Sequence, residues 1–441
     1  MRNHDRSIPK ASTPDGRALW MSTIAFTACF AVWTIFSIIG IQIKEQLGLS
    51  EAEFGLLAGT PILTGSLARI FLGIWTDRYG GRLLFTLNML AASAATALLV
   101  FADTYTQMLV AALGVGLAGG SFAVGVAYVS RFFPSGRQGT ALGIFGAGNV
   151  GAAVTKFTAP FVLVAWGWHT VALVWAAALA LMAIAFWFTT SDDPVIVERR
   201  RTGASTKSIG MELTLLNDLR VWRLSFYYFF TFGAFVALAL WLPRYLIGVY
   251  GFGIETAGMI GAAYSIPASI FRAYGGVLSD RIGARTVLYW CFGVSAIATF
   301  ALSLPPTDYV MHGMRGAIAA HFEITPPVFI GIVVILGFFM SIGKAAVYKH
   351  IATYYPDNVG SVGGFVGMVG GLGGFVLPIA FGFVNQVSGL WSSCFMLLFV
   401  IVVVLLLWMH VSIRLTERRA NPENARRSDA ERGLSPISGR V

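Results

Sequence analysis

Two eighteen-residue stretches of this chain, Gly65–Arg82 and Ala268–Arg285, align without a gap at an offset of 203 and share seven positions. Each carries one arginine inside an otherwise apolar run, Arg69 in the first and Arg272 in the second, eight residues before an Asp-Arg pair. A guanidinium is always charged and is costly at membrane depth. Its retention at the same depth in both copies of an internal repeat implies a binding site at the centre, between the halves. Two positive forks facing one another suit a small planar anion.

The rest of the chain agrees with a membrane setting. Of 441 residues, 56% are hydrophobic and 12% charged, and the mean hydropathy is +0.72. Soluble domains carry about 25% charged residues. A span needs about 20 apolar residues. Twelve such segments can be marked, at 18–42, 54–75, 83–102, 107–130, 139–163, 169–189, 219–247, 256–277, 286–304, 327–350, 359–384 and 389–413. The expected class is an all-α polytopic membrane protein with twelve transmembrane helices. Residues 1–17 are basic and hydrophilic, with no cleavage site after a short apolar run, so the first span is expected to be retained.

The net charge of +10 is a matter of topology rather than of nucleic-acid binding. Four basic residues lie in span interiors, Arg69, Lys156, Arg272 and Lys344, and three, Lys44, Arg244 and Arg315, fall toward the outer side. The others gather in the termini and in the loops after even-numbered spans. The positive-inside rule then puts both termini in the cytoplasm, with the basic runs Arg199–Arg201 and Arg418–Arg419 as determinants; contact with anionic lipid is their alternative role. The three cysteines, Cys29, Cys291 and Cys394, sit in apolar spans without metal-like spacing and read as packing residues.

A polar connection at 191–218 divides a six-span bundle, 18–190, from a second, 219–413. Residues 414–441 form a polar tail expected to be disordered. The segment between Leu304 and Pro327 is an outer loop, bracketed by proline pairs around an expected short surface helix. His312 and His321 lie in it, nine residues apart, a weak pattern for a metal pair.

Six plus six spans with a gap-free repeat is the major facilitator arrangement. The Asp-Arg windows match its loop signature, G-x-x-x-D-R-x-G-x-R, at Gly73, Asp77, Arg78, Gly80 and Arg82 and again at Gly276, Asp280, Arg281, Gly283 and Arg285. These loops are expected to latch the cytoplasmic side; setting topology is the plainer alternative. The fifth span carries Gly139, Gly143, Gly146, Gly148 and Gly151 around Asn149. The eleventh carries Gly360, Gly363, Gly364, Gly367, Gly370, Gly371, Gly373 and Gly374. Glycines at this spacing let helices approach closely and bend.

With these features the chain resembles the nitrate/nitrite porters of the major facilitator superfamily. That family's signature, G-x-G-N-x-G with a proline downstream, is met by Gly146, Gly148, Asn149, Gly151 and Pro160, and the second copy runs from Gly367 to Pro378. The resemblance spans essentially all twelve segments. It implies transport of nitrate or nitrite, with Arg69 and Arg272 clamping the anion. It also implies that Phe122, Tyr228 and Phe232 sandwich and hydrogen-bond it. Physical chemistry is compatible with that assignment. Nitrate is flat, and an arginine fork can donate two parallel N–H bonds to it. Aromatic rings exclude water and strengthen the attraction. Tyr228 and Asn149 can donate hydrogen bonds.

Lys344 and Lys156 depart from the exchange-type members, and the segment around Lys344 resembles the branch associated with proton-coupled uptake. Nitrate cannot hold a proton at neutral pH, so coupling requires a protein group that titrates. An amine buried beside cations can give up its proton, which makes Lys344 the coupling candidate; snorkelling to the nearby helix end is its alternative. Lys156, seven residues after Asn149 and on the same helical face, is a candidate for attracting the anion from outside.

The expectation is a monomeric carrier in the inner (cytoplasmic) membrane that imports nitrate by proton symport for assimilation. Its partners are nitrate or nitrite, protons and membrane lipid, with no nucleic acid, cofactor or metal. Nitrate/nitrite exchange is the alternative. Transport of another small anion, such as a carboxylate, and a non-transporting nitrate sensor stand behind it. No nucleophile–base constellation marks an enzyme.

Overall fold

The computed structural model describes residues 13–49, 51–202, 217–314 and 316–420. It is built of long helices. Those of the first half are α1 (Pro14–Trp33), α2 (Phe36–Leu47), α3 (Glu51–Tyr79), α4 (Gly81–Leu98), α5 (Tyr105–Ser130), α6 (Gln138–Gly146) and α7 (Gly151–Thr189). A short helix, α8 (Pro194–Thr202), follows in the connection. The second half has α9 (Leu219–Tyr228), α10 (Phe235–Tyr250), α11 (Ile254–Ile282), α12 (Ala284–Ser303), α13 (Pro326–Tyr354), α14 (Val359–Ser388) and α15 (Ser393–Ala420).

Ten stretches of the described residues are long and apolar enough to cross a membrane. One of them, Gln138–Thr189, is two spans joined at Gly167, whose φ of +77° breaks the helix. The 29-residue α11, of span length and carrying the buried Arg272, falls outside those ten. With it and the division at Gly167, twelve spans are counted among the described residues, and the protein is an all-α polytopic membrane protein.

Local sequence explains where helices begin. Thr13 accepts from the N–H of Gly16, with Pro14 as the first helical residue; such a cap satisfies an orphan donor. Thr104 and Gln107 form a reciprocal capping box at α5. At the two signature loops, Gly80 (φ +93°) and Gly283 (φ +88°) turn the chain between α3 and α4 and between α11 and α12. Only glycine takes that backbone conformation without strain, so the equivalence of the two halves reaches down to single dihedrals.

The loop between α12 and α13 corrects one expectation. In place of a short surface helix it forms an antiparallel hairpin, β1 (Thr307–Gly313) and β2 (Gly316–Phe322). Tyr309, Val310 and Ile318 favour extended backbone, and Gly316, at φ +125°, opens β2 opposite Gly313. The register sets Asp308 opposite His321 and His312 opposite Ala317, so the two histidines are not paired across it. Among the described residues no cluster able to hold a metal ion occurs. One boundary also shifts. The last helix continues to Ala420, past the expected tail boundary at 414, and the expected disordered tail beyond it lies outside the described residues. Part of the 191–218 connection is helical, in α8.

Candidate functional site

The two halves meet along two equivalent seams of glycine. In the first, α3 lies against α14. A Cβ on Gly73 would strike the carbonyl of Gly360, and one on Gly364 would strike the carbonyl of Arg69. In the second, α11 lies against α6. A Cβ on Gly276 would strike the carbonyl of Gly139, and one on Gly143 would come 2.8 Å from the carbonyl of Arg272. Close backbone approach of this kind requires glycine on both sides. It positions each arginine at the inner end of its seam.

At the loop end of each seam a carboxylate, buried Asp77 or half-buried Asp280, caps a helix of the opposite half. Asp77 accepts from the N–H of Gly360 (3.2 Å) and from the N–H and hydroxyl of Ser361 (2.8 and 2.9 Å), at the start of α14. Asp280 accepts from the N–H of Gly139 (3.1 Å) and from the N–H and hydroxyl of Thr140 (2.6 and 2.8 Å), at the start of α6. A helix N-terminus favours negative charge through its free N–H groups and its dipole. Arg131 holds Asp77 at 2.7 Å and Asp193 at 3.1 Å, and Lys349 holds Asp280 at 2.8 Å. The aspartates of the signature therefore make the cross-half bonds. Arg78 is half-buried and Arg281 exposed beside them.

Further in, both arginines are 1% exposed. Among the described residues neither forms an ion pair. Arg69 donates from Nε to the carbonyl of Gly119 (3.0 Å) and from Nη1 to that of Gly367 (2.7 Å). Arg272 donates from Nη2 to the Tyr228 hydroxyl at 3.4 Å, while its Nε and Nη1 have no partner. Phe122 lies between the two cations. Its ring centre is 4.7 Å from the Arg272 guanidinium carbon and 5.6 Å from that of Arg69. Phe232 faces Arg69 at 5.5 Å. Cation–π contact of this kind offsets part of the cost of burial. Tyr228 is parallel to Phe232, with centroids 5.1 Å apart, and nearly parallel to Phe122, at 6.2 Å.

The sequence singled out Arg69, Arg272, Phe122, Tyr228 and Phe232, and these five are brought together. Asn149 is buried nearby with neither amide atom paired. It sits in a turn of 3-10 helix, Ala147–Val150, that interrupts the helix between α6 and α7. Phe232 sits in a π-helical stretch, Phe229–Ala234, between α9 and α10. Such interruptions re-aim side chains and recur at functional sites.

The signature glycines divide by what they face. Gly146 lies against the Arg272 side chain, Gly367 against Arg69 and the Tyr348 hydroxyl, and Gly371 against Ser66 and Arg69. Gly148 and Gly151 pack against α1, within the same half. Gly370 faces Tyr228, Gly373 faces Phe229 and Gly233, and Gly374 faces Val236, again within one half.

Lys344 on α13 is fully buried. Its Nζ stands 3.2 Å above the centre of the Phe235 ring and has no hydrogen-bond partner. It does not snorkel to the helix end. Lys156 is exposed on α7. Four residues on, Pro160 lines an open groove of about 390 Å³ with Gln42 and Glu45.

One residue of the site escaped the sequence. Tyr348 sets its ring edge-on to Phe122 and to Tyr228, both at 4.9 Å, and donates its hydroxyl to the carbonyl of Gly363 at 2.9 Å. It closes the site toward the loop end. The available signal was spacing, since Tyr348 is four residues after Lys344 and so shares its helical face.

Comparison with known proteins follows from this geometry. The family model described as Major Facilitator Superfamily matches residues 21–322 and 254–440. The chain is 42% identical over 424 residues to the probable nitrate/nitrite antiporter NarK1 of Thermus thermophilus, covering 93% of this chain and 94% of that one. It is 29% identical to the nitrite extrusion protein of Bacillus subtilis, covering 92% and 98% of the two chains. It is 32% identical to the probable nitrate/nitrite transporter NarK2 of Mycobacterium tuberculosis, covering 83% and 87%. Among solved structures, the proton:xylose symporter XylE superposes with a TM-score of 0.71 at 12% identity, over 91% of this chain and 96% of that one. The fucose:proton symporter FucP of E. coli does so with 0.69 at 16%, over 90% and 99%. The likeness to these two is one of fold.

Proposed function

The chain belongs to the nitrate/nitrite porter family of the major facilitator superfamily, and from that premise we propose that it carries nitrate across the membrane by alternating access, with Arg69 and Arg272 closing on the anion. As a member of that family it is a transporter rather than an enzyme. The observation that carries the assignment is the pair of buried guanidiniums facing one aromatic ring, Phe122, from opposite halves. Two uncompensated cations in a dry interior repel, and their retention is explained by a ligand that neutralises them. A flat monoanion can accept from both forks. Tyr228 and Asn149 add donors on either side.

Transport runs as proton symport into the cytoplasm. The support is Lys344: a buried ammonium with no acceptor, on the helix that also carries Tyr348 into the site. With Lys344 protonated, the site holds three positive charges and favours the anion. Loss of that proton to the inner solution removes one of them, so anion and proton leave together. Lys156, exposed four residues from the outer groove, draws the anion toward Asn149. The orientation has both termini in the cytoplasm, in the inner membrane, and the carrier acts as a monomer.

Proteoliposomes test this. Nitrate uptake is measured with internal nitrite and an inward proton gradient varied independently. Uptake driven by the gradient without nitrite, and abolished by an uncoupler, is the expected result. Uptake that needs internal nitrite and ignores the gradient would replace symport by exchange, the function named for the Thermus relative.

A further inference from the structure

The two arginines occupy equivalent positions in the repeat, yet their hydrogen bonding is unequal. Arg69 is engaged by two carbonyls. One, Gly119, belongs to α5 of its own half; the other, Gly367, belongs to α14 of the opposite half. The bond to Gly367, at 2.7 Å, therefore ties the halves together within the site itself. Arg272 has no such tie. Its Nε and Nη1 are buried and unpaired, beside an Asn149 amide that is also buried and unpaired. These orphans are neighbours. Gly146, the last residue of α6, lies directly against the Arg272 side chain, and the 3-10 turn that follows it with Asn149 packs against α11, the helix that carries Arg272. Buried donors left unsatisfied are costly, the more so where charge is involved, so this side of the site is primed for an acceptor.

Resting on the transport function proposed above, we infer that the arginines act in sequence rather than as an equal clamp: Arg272 and Asn149 form the docking subsite for the anion, and Arg69 engages it only by surrendering the Gly367 carbonyl, so that this exchange couples substrate binding to release of the α3–α14 seam. The chemistry of the exchange is balanced. One N–H leaves a carbonyl acceptor and reaches an anionic one, which is the stronger acceptor for a cationic donor. The bond given up is the cross-half bond that Arg69 makes within the site, in addition to those at the loop end.

The test separates binding from transport. Nitrate binding to purified protein in detergent is measured by calorimetry, and nitrate uptake is measured in proteoliposomes. Arg272→Lys, which loses the fork, is expected to weaken binding about tenfold or more. Asn149→Ala is expected to weaken it about fivefold. Arg69→Lys is expected to lose affinity about threefold or more less severely than Arg272→Lys, yet to lose about tenfold or more of its uptake, because a point-charge amine cannot reproduce both carbonyl bonds. Monodisperse elution and an unchanged melting temperature establish that each variant is folded. Asn149→Ala touches neither carbonyl of the tether, so it remains informative should Arg69→Lys misfold. Equal loss of affinity in Arg69→Lys and Arg272→Lys would overturn the order of engagement, as would unchanged affinity in Asn149→Ala. Failure of the unaltered protein to bind nitrate would instead remove the transport function, and this inference with it.

Discussion

Asp77 of the first half holds Ser361 of the second by two hydrogen bonds, 2.8 Å from its N–H and 2.9 Å from its hydroxyl. Thr140 makes the same pair of bonds to Asp280 in the opposite direction. Asp77 is also held by Arg131, and both side chains of that pair are under 10% exposed. Breaking a buried pair by removing one charge costs about 3–5 kcal/mol. Asp77→Asn should therefore lower the melting temperature in detergent and reduce nitrate uptake, with Asp280→Asn acting in the same direction. A double variant as stable and active as the parent would show that these carboxylates do not hold the loop end closed.

Gly73 is predicted to be intolerant of a single methyl group. Its Cβ would meet the backbone of α14, which cannot step aside like the end of a side chain. Gly73→Ala should cut uptake by about tenfold or more, in keeping with overpacking costs of about 1–3 kcal/mol. Gly261→Ala is the control, since the nearest atom to its Cβ is 3.4 Å away on the Pro243 ring. Equal uptake by the two variants would mean that the seam is looser than its geometry.

Lys344→Met keeps the length of the side chain and removes its charge. Uptake driven by a proton gradient is expected to collapse, while folding, judged by melting temperature, is retained or improved, because an unpaired buried ammonium is replaced by an apolar group. Full proton-linked uptake by this variant would exclude Lys344 from coupling.

The outer hairpin carries a pH dependence of its own. His321 donates from Nδ1 to Asp308 at 2.7 Å and lies 3.5 Å from Glu323. Those two carboxylates raise its pKa above the ordinary 6.5, the hydrogen bond to Asp308 being the main cause. A raised value in the folded state stabilises the hairpin fully below the unfolded pKa, and the contribution is lost as pH rises through the folded one. Hydrogen exchange across Thr307–Phe322, corrected for its intrinsic rate, should accelerate over that window. His321→Gln should abolish the acceleration; its persistence in the variant would assign the effect to another group.

Much of the architecture was legible because membrane folding is governed by coarse quantities. Span length, the position of Lys and Arg, and a repeat at constant offset are all visible in one chain. Arg69 and Arg272 stood out because charge is rare at that depth. The carbonyl partners of Arg69 could not be seen, since Gly119 and Gly367 contribute backbone atoms that no residue type advertises. Tyr348 was hidden for a related reason: an aromatic among aromatics carries no signal until neighbouring helices fix which ring it faces. The 3-10 turn at Asn149 and the π stretch at Phe232 arise from tertiary packing against α1, α11 and α14, and glycine content alone does not distinguish them from regular helix. The hairpin was missed because proline pairs suggested a helix start, whereas the β-branched and aromatic residues between them prevailed.

The crosswise capping at the loop end bears on how the carrier can fail. Each half supplies the bolt for the other's socket, so one seam cannot open fully while its counterpart stays fastened. Separation is then concerted, with a single mechanical degree of freedom, and an intermediate with one seam ajar is disfavoured. That leaves no half-open passage through which small ions could leak.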